Sequence, residues 1–169
     1  KLTVCRRTYQ ELYREHAGLD PHLCTDSALV ALIQNHININ LDALNRDDYL
    51  NLIMTHLIEP QLPKTQLTVV YDFPASQCAL AKIRNDHVPV AERFELYLGS
   101  NELANGYHEL TDSNEQRRLF ENDVAVRIVR GDTSPKPDER LLHALQQLPA
   151  CAGVAMGIDR LMMALLDQK

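Results

Sequence analysis

The stretch from Glu92 to Asp112, ERFELYLGSNELANGYHELTD, constrains the fold of this chain more tightly than any other. Phe94, Leu96 and Leu98 alternate with Glu95 and Tyr97. That is the two-residue period of a half-buried strand, with Glu95 on the face away from the apolar side chains. Gly99-Ser100-Asn101 is a turn signal, so Glu102, Asn105, Tyr107 and Glu109 are expected on a returning strand. With a two-residue loop, Leu98-Gly99 or Gly99-Ser100, Glu102 returns opposite Glu95 or opposite Tyr97. The two carboxylates then share a face, roughly 5 to 8 Å apart. A three-residue loop would separate them onto opposite faces.

Two carboxylates that close repel each other, and Arg93 is the basic residue beside them in sequence. A hard divalent cation such as magnesium resolves the repulsion and leaves room for phosphate. The alternative is that both glutamates stand solvated on an exposed sheet face. Asn105-Gly106 interrupts the second strand, and a glycine there suggests a bulge or a close approach of backbone to ligand. Asn105 offers a donor and an acceptor, and Glu109 could hold an ammonium group or stand exposed.

A chain of 169 residues, 45% hydrophobic, has enough material for one domain with its own core. It divides into a helical segment over 1–65 and a sheet segment over 66–169. It starts at Lys1 without a methionine and stops at Lys169 after an apolar helix, so it reads as a fragment of a longer protein. No apolar run is long enough to span a bilayer and no signal-peptide pattern is present. No membrane partner and a cytoplasmic location are therefore expected. A net charge of -6 with scattered basic residues gives no electrostatic reason to expect nucleic-acid binding by this segment. Cys5, Cys24, Cys78 and Cys151 form no C-x-x-C pair and read as buried free thiols.

The first third reads as helical. Thr8 and Glu11 form a capping box, and Gly18 with Pro21 closes that helix. Thr25 or Asp26 opens a second helix through Leu29, Leu32 and Ile33, and Asn45 a third that Pro60 ends. The histidines of this region are read as packing residues. Leu67 to Phe73 is rich in β-branched and aromatic residues and predicts a strand stopped by Pro74. Residues 76–84 are a short helix or loop. Asp112 and Glu115 cap a helix running to Gly131, an extended loop follows over 132–138, and another helix spans 139–148.

The last unit, Cys151 to Gly157 followed by Ile158 to Leu166, predicts a buried strand entering a buried helix. Arg160 falls near the N-terminus of that helix, where the macrodipole disfavours a cation. It needs an anionic partner, either a carboxylate such as Asp159 or a phosphate gripped by two bonds. No G-x-G-x-x-G or G-x-x-x-x-G-K motif is present.

YDFPASQCALAKI, VAERFELY, ELANGYHELTD and GVAMGIDRLMM together resemble the C-terminal half of a class II aminoacyl-tRNA synthetase catalytic domain, the last run being its motif 3. The resemblance is strongest to the elongation factor P (R)-β-lysine ligases, relatives of lysyl-tRNA synthetase, and covers most of residues 67–166. It implies an α+β fold, an antiparallel sheet flanked by helices. It implies that Glu95 and Glu102 bind Mg2+ on ATP, that Arg160 holds the phosphates, and that Gly157 lies at the ATP. Asn105, Gly106, Glu109 and Ala155 would receive lysine or β-lysine, with Glu109 as counter-ion to the ammonium. Ala155 stands where lysyl-tRNA synthetases usually have Gly, which implies a pocket suited to β-lysine. The implied activity is ATP-dependent activation of the amino acid and its transfer to a lysine of elongation factor P, with no tRNA partner, by a homodimeric parent protein. Motifs 1 and 2 are not found, so this piece alone is expected to lack full activity. The alternatives are a lysyl-tRNA synthetase fragment and a non-catalytic synthetase-like binding module. The ligase reading requires Glu95, Glu102 and Arg160 to face one cleft sized for a nucleoside triphosphate.

Overall fold

The computed structural model describes residues 2–134 and 136–166. Strand β1 (Thr3–Thr8) leads into α1 (Tyr9–Leu12), which continues as a π-helical turn, Tyr13–Ala17. Helix α2 (Asp26–His36) follows, then α3 (Arg46–Ile53), extended by a π-helical turn (Met54–Ile58) and a 3-10 turn (Glu59–Gln61). Strands β2 (Gln66–Pro74), β3 (Ile83–Arg84), β4 (Val90–Leu98) and β5 (Asn101–His108) come next. Helices α4 (Ser113–Arg130) and α5 (Glu139–Leu145) precede β6 (Ala152–Met156) and α6 (Ile158–Leu165).

The sheet runs in the order β1-β2-β4-β5-β6, with β3 also paired to β4. It is α+β as expected but mixed rather than antiparallel. β1 lies parallel to β2, while the β2-β4, β4-β5 and β5-β6 pairs are antiparallel. β1 is a strand where a helical segment is expected. It sits at the sheet edge and none of its side chains is buried, so its hydrogen-bond ladder to β2 defines it and no apolar alternation reveals it.

Local capping chemistry sets the helix starts. Thr8 and Glu11 form the reciprocal box, Thr25 caps α2, and Asn45 with Asp48 forms a second box at α3. Asp112 accepts from the amides of Asn114 and Glu115 to start α4, and Gly131 ends it at φ 79°. α5 stops at Leu145, short of the expected 148. The extended loop expected over 132–138 includes Pro135, which lies outside the described residues. β2 runs through Pro74 instead of stopping before it, and residues 76–84 hold the end of a 3-10 turn and β3. Cys78 is buried, the other cysteines only partly so, and all four are free thiols.

Tyr9, Tyr13, Leu29, Ile33, Leu50, Ile53 and Ile58 are essentially inaccessible and pack onto the face of the sheet that carries Val70 and Phe73. Tyr9 stacks on Tyr13 with ring centroids 4.6 Å apart and meets Phe73 at 4.9 Å. The buried hydroxyl of Tyr9 donates to that of Tyr13, which donates to the Leu50 carbonyl, so neither polar group is stranded in the core. This packing covers the β1-β2-β4 end of the sheet. The other end is open: β6 and α6 contain no buried residue, and Val154, Ile158 and Leu165 are each more than 60% exposed. The expected burial of this strand and helix is thus not found among the described residues.

Candidate active site

The hairpin closes through Gly99-Ser100, with Leu98 paired to Asn101 and Tyr97 to Glu102. Gly99 adopts φ 58°, the positive dihedral that tight hairpin loops demand at such positions. Glu95, however, pairs with Asn105. Positions 102 and 105 have opposite parity and would face opposite sides of a regular strand. A bulge between the Leu96–Ala104 and Tyr97–Glu102 pairs leaves Leu103 as the extra residue and returns both to one face. The irregularity suggested by Asn105-Gly106 therefore lies two residues earlier.

Continuing across the sheet, Asn105 pairs with Ala155, so Val70, Glu95, Asn105 and Ala155 form one cross-strand row. Arg93, Tyr107 and Gly153 form the next row on the same face. Gly106 looks the other way. A Cβ there would lie 2.5 Å from the Phe94 ring and 2.8 Å from the Gly153 carbonyl oxygen. Its small size is required by Phe94 packing and by β6.

Glu95 is only 8% exposed, which excludes the reading of a solvated glutamate. Its Oε1 is ion-paired with Arg93, and its Oε2 accepts the Tyr97 hydroxyl at 2.5 Å. Arg93 is itself fixed: its guanidinium carbon stands 4.4 Å over the Phe73 ring, and it donates to the Gln77 carbonyl at 3.2 Å. Burial, followed by the charge of Glu95, raises the pKa of Glu102 above its ordinary value, and the same two causes raise that of Glu59. Burial and Glu95 likewise push the Tyr97 phenol upward. The site is thus short of positive charge, a donor set that fits a hard divalent cation. Among the described residues, no group of three or more His, Cys, Asp or Glu side chains is placed to ligate one ion.

Arg160 reaches Glu102. Its Nη1 donates to the Glu102 carbonyl at 2.9 Å and lies 3.6 Å from the carboxylate. The anionic partner is therefore a carboxylate on β5, and most of the Arg160 side chain remains exposed. The amide of Gly157, the N-cap of α6, donates to the Leu103 carbonyl at 2.9 Å, which ties the start of that helix to the bulge. A Cβ on Gly157 would meet only the Arg160 side chain, at 3.5 Å or more, so packing does not demand glycine there.

Three adjoining cavities gather these residues. One of about 560 Å3 is lined by Thr55, Glu59, Ser100, Asn101, Glu102, Arg160 and Met163. A second of about 190 Å3 reaches Arg93, Glu95, Tyr97 and Glu102. The third, about 260 Å3, brings Glu102, Asn105, Ala155, Gly157 and Arg160 together. Glu109 lies beside them. Its Oε1 occupies the space where a side chain at Gly153 would sit, two residues from Ala155, and among the described residues it has no cationic partner. Sequence reasoning missed Glu59 and Tyr97. Glu59 ends the apolar run Leu57-Ile58 just before Pro60, and that charge is the one signal that could have singled it out.

Residues 6–169 match the family model described as tRNA synthetases class II (D, K and N). The chain belongs to this family. It is 44% identical over 161 residues to an elongation factor P–(R)-beta-lysine ligase of Mannheimia succiniciproducens, covering 95% of this chain and 50% of that relative. Relatives with the same name from Pasteurella multocida and Salmonella paratyphi B are 42% and 43% identical, each aligned over 94% of this chain and 50% of their own length. The chain thus spans about half the length of the curated relatives it matches. No helix among the described residues is long and apolar enough to cross a membrane.

Proposed function

We propose that the protein carrying this chain activates a lysine-type amino acid, β-lysine, with ATP and transfers it to a lysine side chain of elongation factor P. The observation that carries this reading is the convergence of Glu95, Glu102, Asn105, Ala155 and Arg160 on adjoining cavities of one sheet face. The names of the similar proteins supply the acceptor.

In the first step the substrate carboxylate attacks the α-phosphorus of ATP and pyrophosphate leaves, giving an acyl adenylate. In the second, an acceptor lysine amine attacks the acyl carbon and AMP leaves. The guanidinium of Arg160, on a largely exposed side chain, binds the phosphates. Glu109, which has no cationic partner among the described residues, receives the substrate ammonium, and Asn105 orients the same molecule from the neighbouring row. Glu95 and Glu102 would hold Mg2+, which neutralises phosphate charge when bound. Arg93 and Tyr97 keep Glu95 in place. The rest of the work is orientation and charge stabilisation, and no covalent enzyme intermediate is needed.

ATP–pyrophosphate exchange by the full-length protein with α-lysine, β-lysine or neither tests the first step, and acyl transfer to elongation factor P or to tRNA tests the second. Exchange stimulated by β-lysine and transfer to elongation factor P is the expected result. Transfer to tRNA instead would replace this reading with a lysyl-tRNA synthetase. Replacing Ala155 by Gly should shift exchange towards α-lysine.

A further inference from the structure

Glu59 stands at the end of a helical segment whose buried side chains otherwise serve the core. Together with Thr55 and Glu102 it lines both the cavity that contains Arg160 and the smaller one that contains Arg93 and Glu95, so it sits where the two meet. The Tyr97 hydroxyl lies 3.4 Å from Glu59 Oε1 and 2.5 Å from Glu95 Oε2. A phenol has one proton to give. The Glu95 contact is the shorter, and Glu59 is the second, weaker acceptor of the same hydroxyl. The carboxylates of Glu59, Glu95 and Glu102 outnumber the guanidiniums of Arg93 and Arg160 at these cavities by one.

We propose that Glu59 is a positioning residue of the nucleotide site, holding Tyr97 against Glu95 and contributing the surplus negative charge that retains the divalent cation. The inference rests on the proposed function. Glu59 acts through Tyr97 and through its charge, because no three acidic side chains among the described residues are close enough to ligate one ion. Outer partners of this kind typically change metal affinity by about 10-fold or more when altered.

The test is Mn2+ binding to the full-length protein in the presence of ATP, followed by electron paramagnetic resonance, for wild type, Glu59→Gln and Glu59→Asp. Metal-free ATP binding and thermal stability are measured alongside. Glu59→Gln should weaken Mn2+ binding about 10-fold, leave metal-free ATP binding equal or tighter, and not lower the melting temperature. Glu59→Asp, which keeps the charge but shortens the reach to Tyr97, should fall between. A merely structural role would weaken metal-free ATP binding and stability together, and that result would overturn the proposal. Wild-type binding of Mn2+ that Glu59→Gln leaves unchanged would overturn this inference alone. Failure of the wild type to bind Mn2+ with ATP would overturn the proposed function as well.

Discussion

Gly106→Ala offers a stringent test of the strand arrangement that carries the site. Gly106 does not use a left-handed backbone, so alanine meets no dihedral penalty. In an unconstrained position the change would stabilise by about 0.4–1 kcal/mol, through the unfolded chain. Here the added methyl would lie 2.5 and 2.7 Å from two Phe94 ring carbons and 2.8 Å from the Gly153 carbonyl oxygen. The ring can turn, but the carbonyl belongs to β6 and moves only with the strand. Overpacking of this kind costs about 1–3 kcal/mol, so destabilisation wins by about 1–2 kcal/mol. For a chain of this size that corresponds to a melting temperature lower by about 2–8 °C. Thermal and urea unfolding would measure it. In a Phe94→Leu background the ring contacts vanish while the carbonyl contact remains, so the penalty should shrink without disappearing. A Gly106→Ala variant as stable as wild type, or more so, would refute the β5-β6 packing described above and with it the placement of Ala155 beside Asn105.

Asp112→Ala removes the N-cap of α4 and should cost about 1 kcal/mol, read from urea unfolding, while Asp112→Asn should retain most of the stability. Arg160→Ala loses an ion pair that is largely exposed, so stability should change by less than about 1 kcal/mol. The KM for ATP should rise at least about tenfold if the guanidinium binds phosphate. Glu102 gives a pH signature. Burial and Glu95 raise its folded-state pKa above the ordinary 4.5, so the folded chain binds more protons in that window and stability falls as pH rises through it. Glu102→Gln removes this liability. Without divalent cation it should be more stable than wild type at neutral pH, with the advantage fading as pH drops below the ordinary carboxylate range.

Features set by neighbouring residues were legible in the sequence. The caps at Thr8, Asn45 and Asp112, the αL stop at Gly131 and the loop at Gly99-Ser100 all depend on chemistry within a few positions. β1 was not legible, because its partner β2 lies some 60 residues away and its own side chains carry no burial pattern. Hydropathy favoured burial of Val154, Ile158 and Leu165, yet they face solvent, because nothing among the described residues packs over that end of the sheet. Within the site, Glu95, Glu102 and Arg160 were found from parity and the helix-dipole argument together with the family resemblance. The bulge at Leu103 that aligns Glu102 with Asn105 has no local marker, and Glu59 enters from a helical segment whose residues otherwise read as packing.

The most direct measurement is a crystal structure of the full-length protein with a non-hydrolysable ATP analogue and Mn2+, using anomalous scattering to find the metal. The account predicts manganese at the carboxylates of Glu95 and Glu102, with phosphate oxygens within hydrogen-bonding reach of Arg160. A nucleotide bound elsewhere, or manganese absent from both carboxylates while the triphosphate is in place, would contradict it.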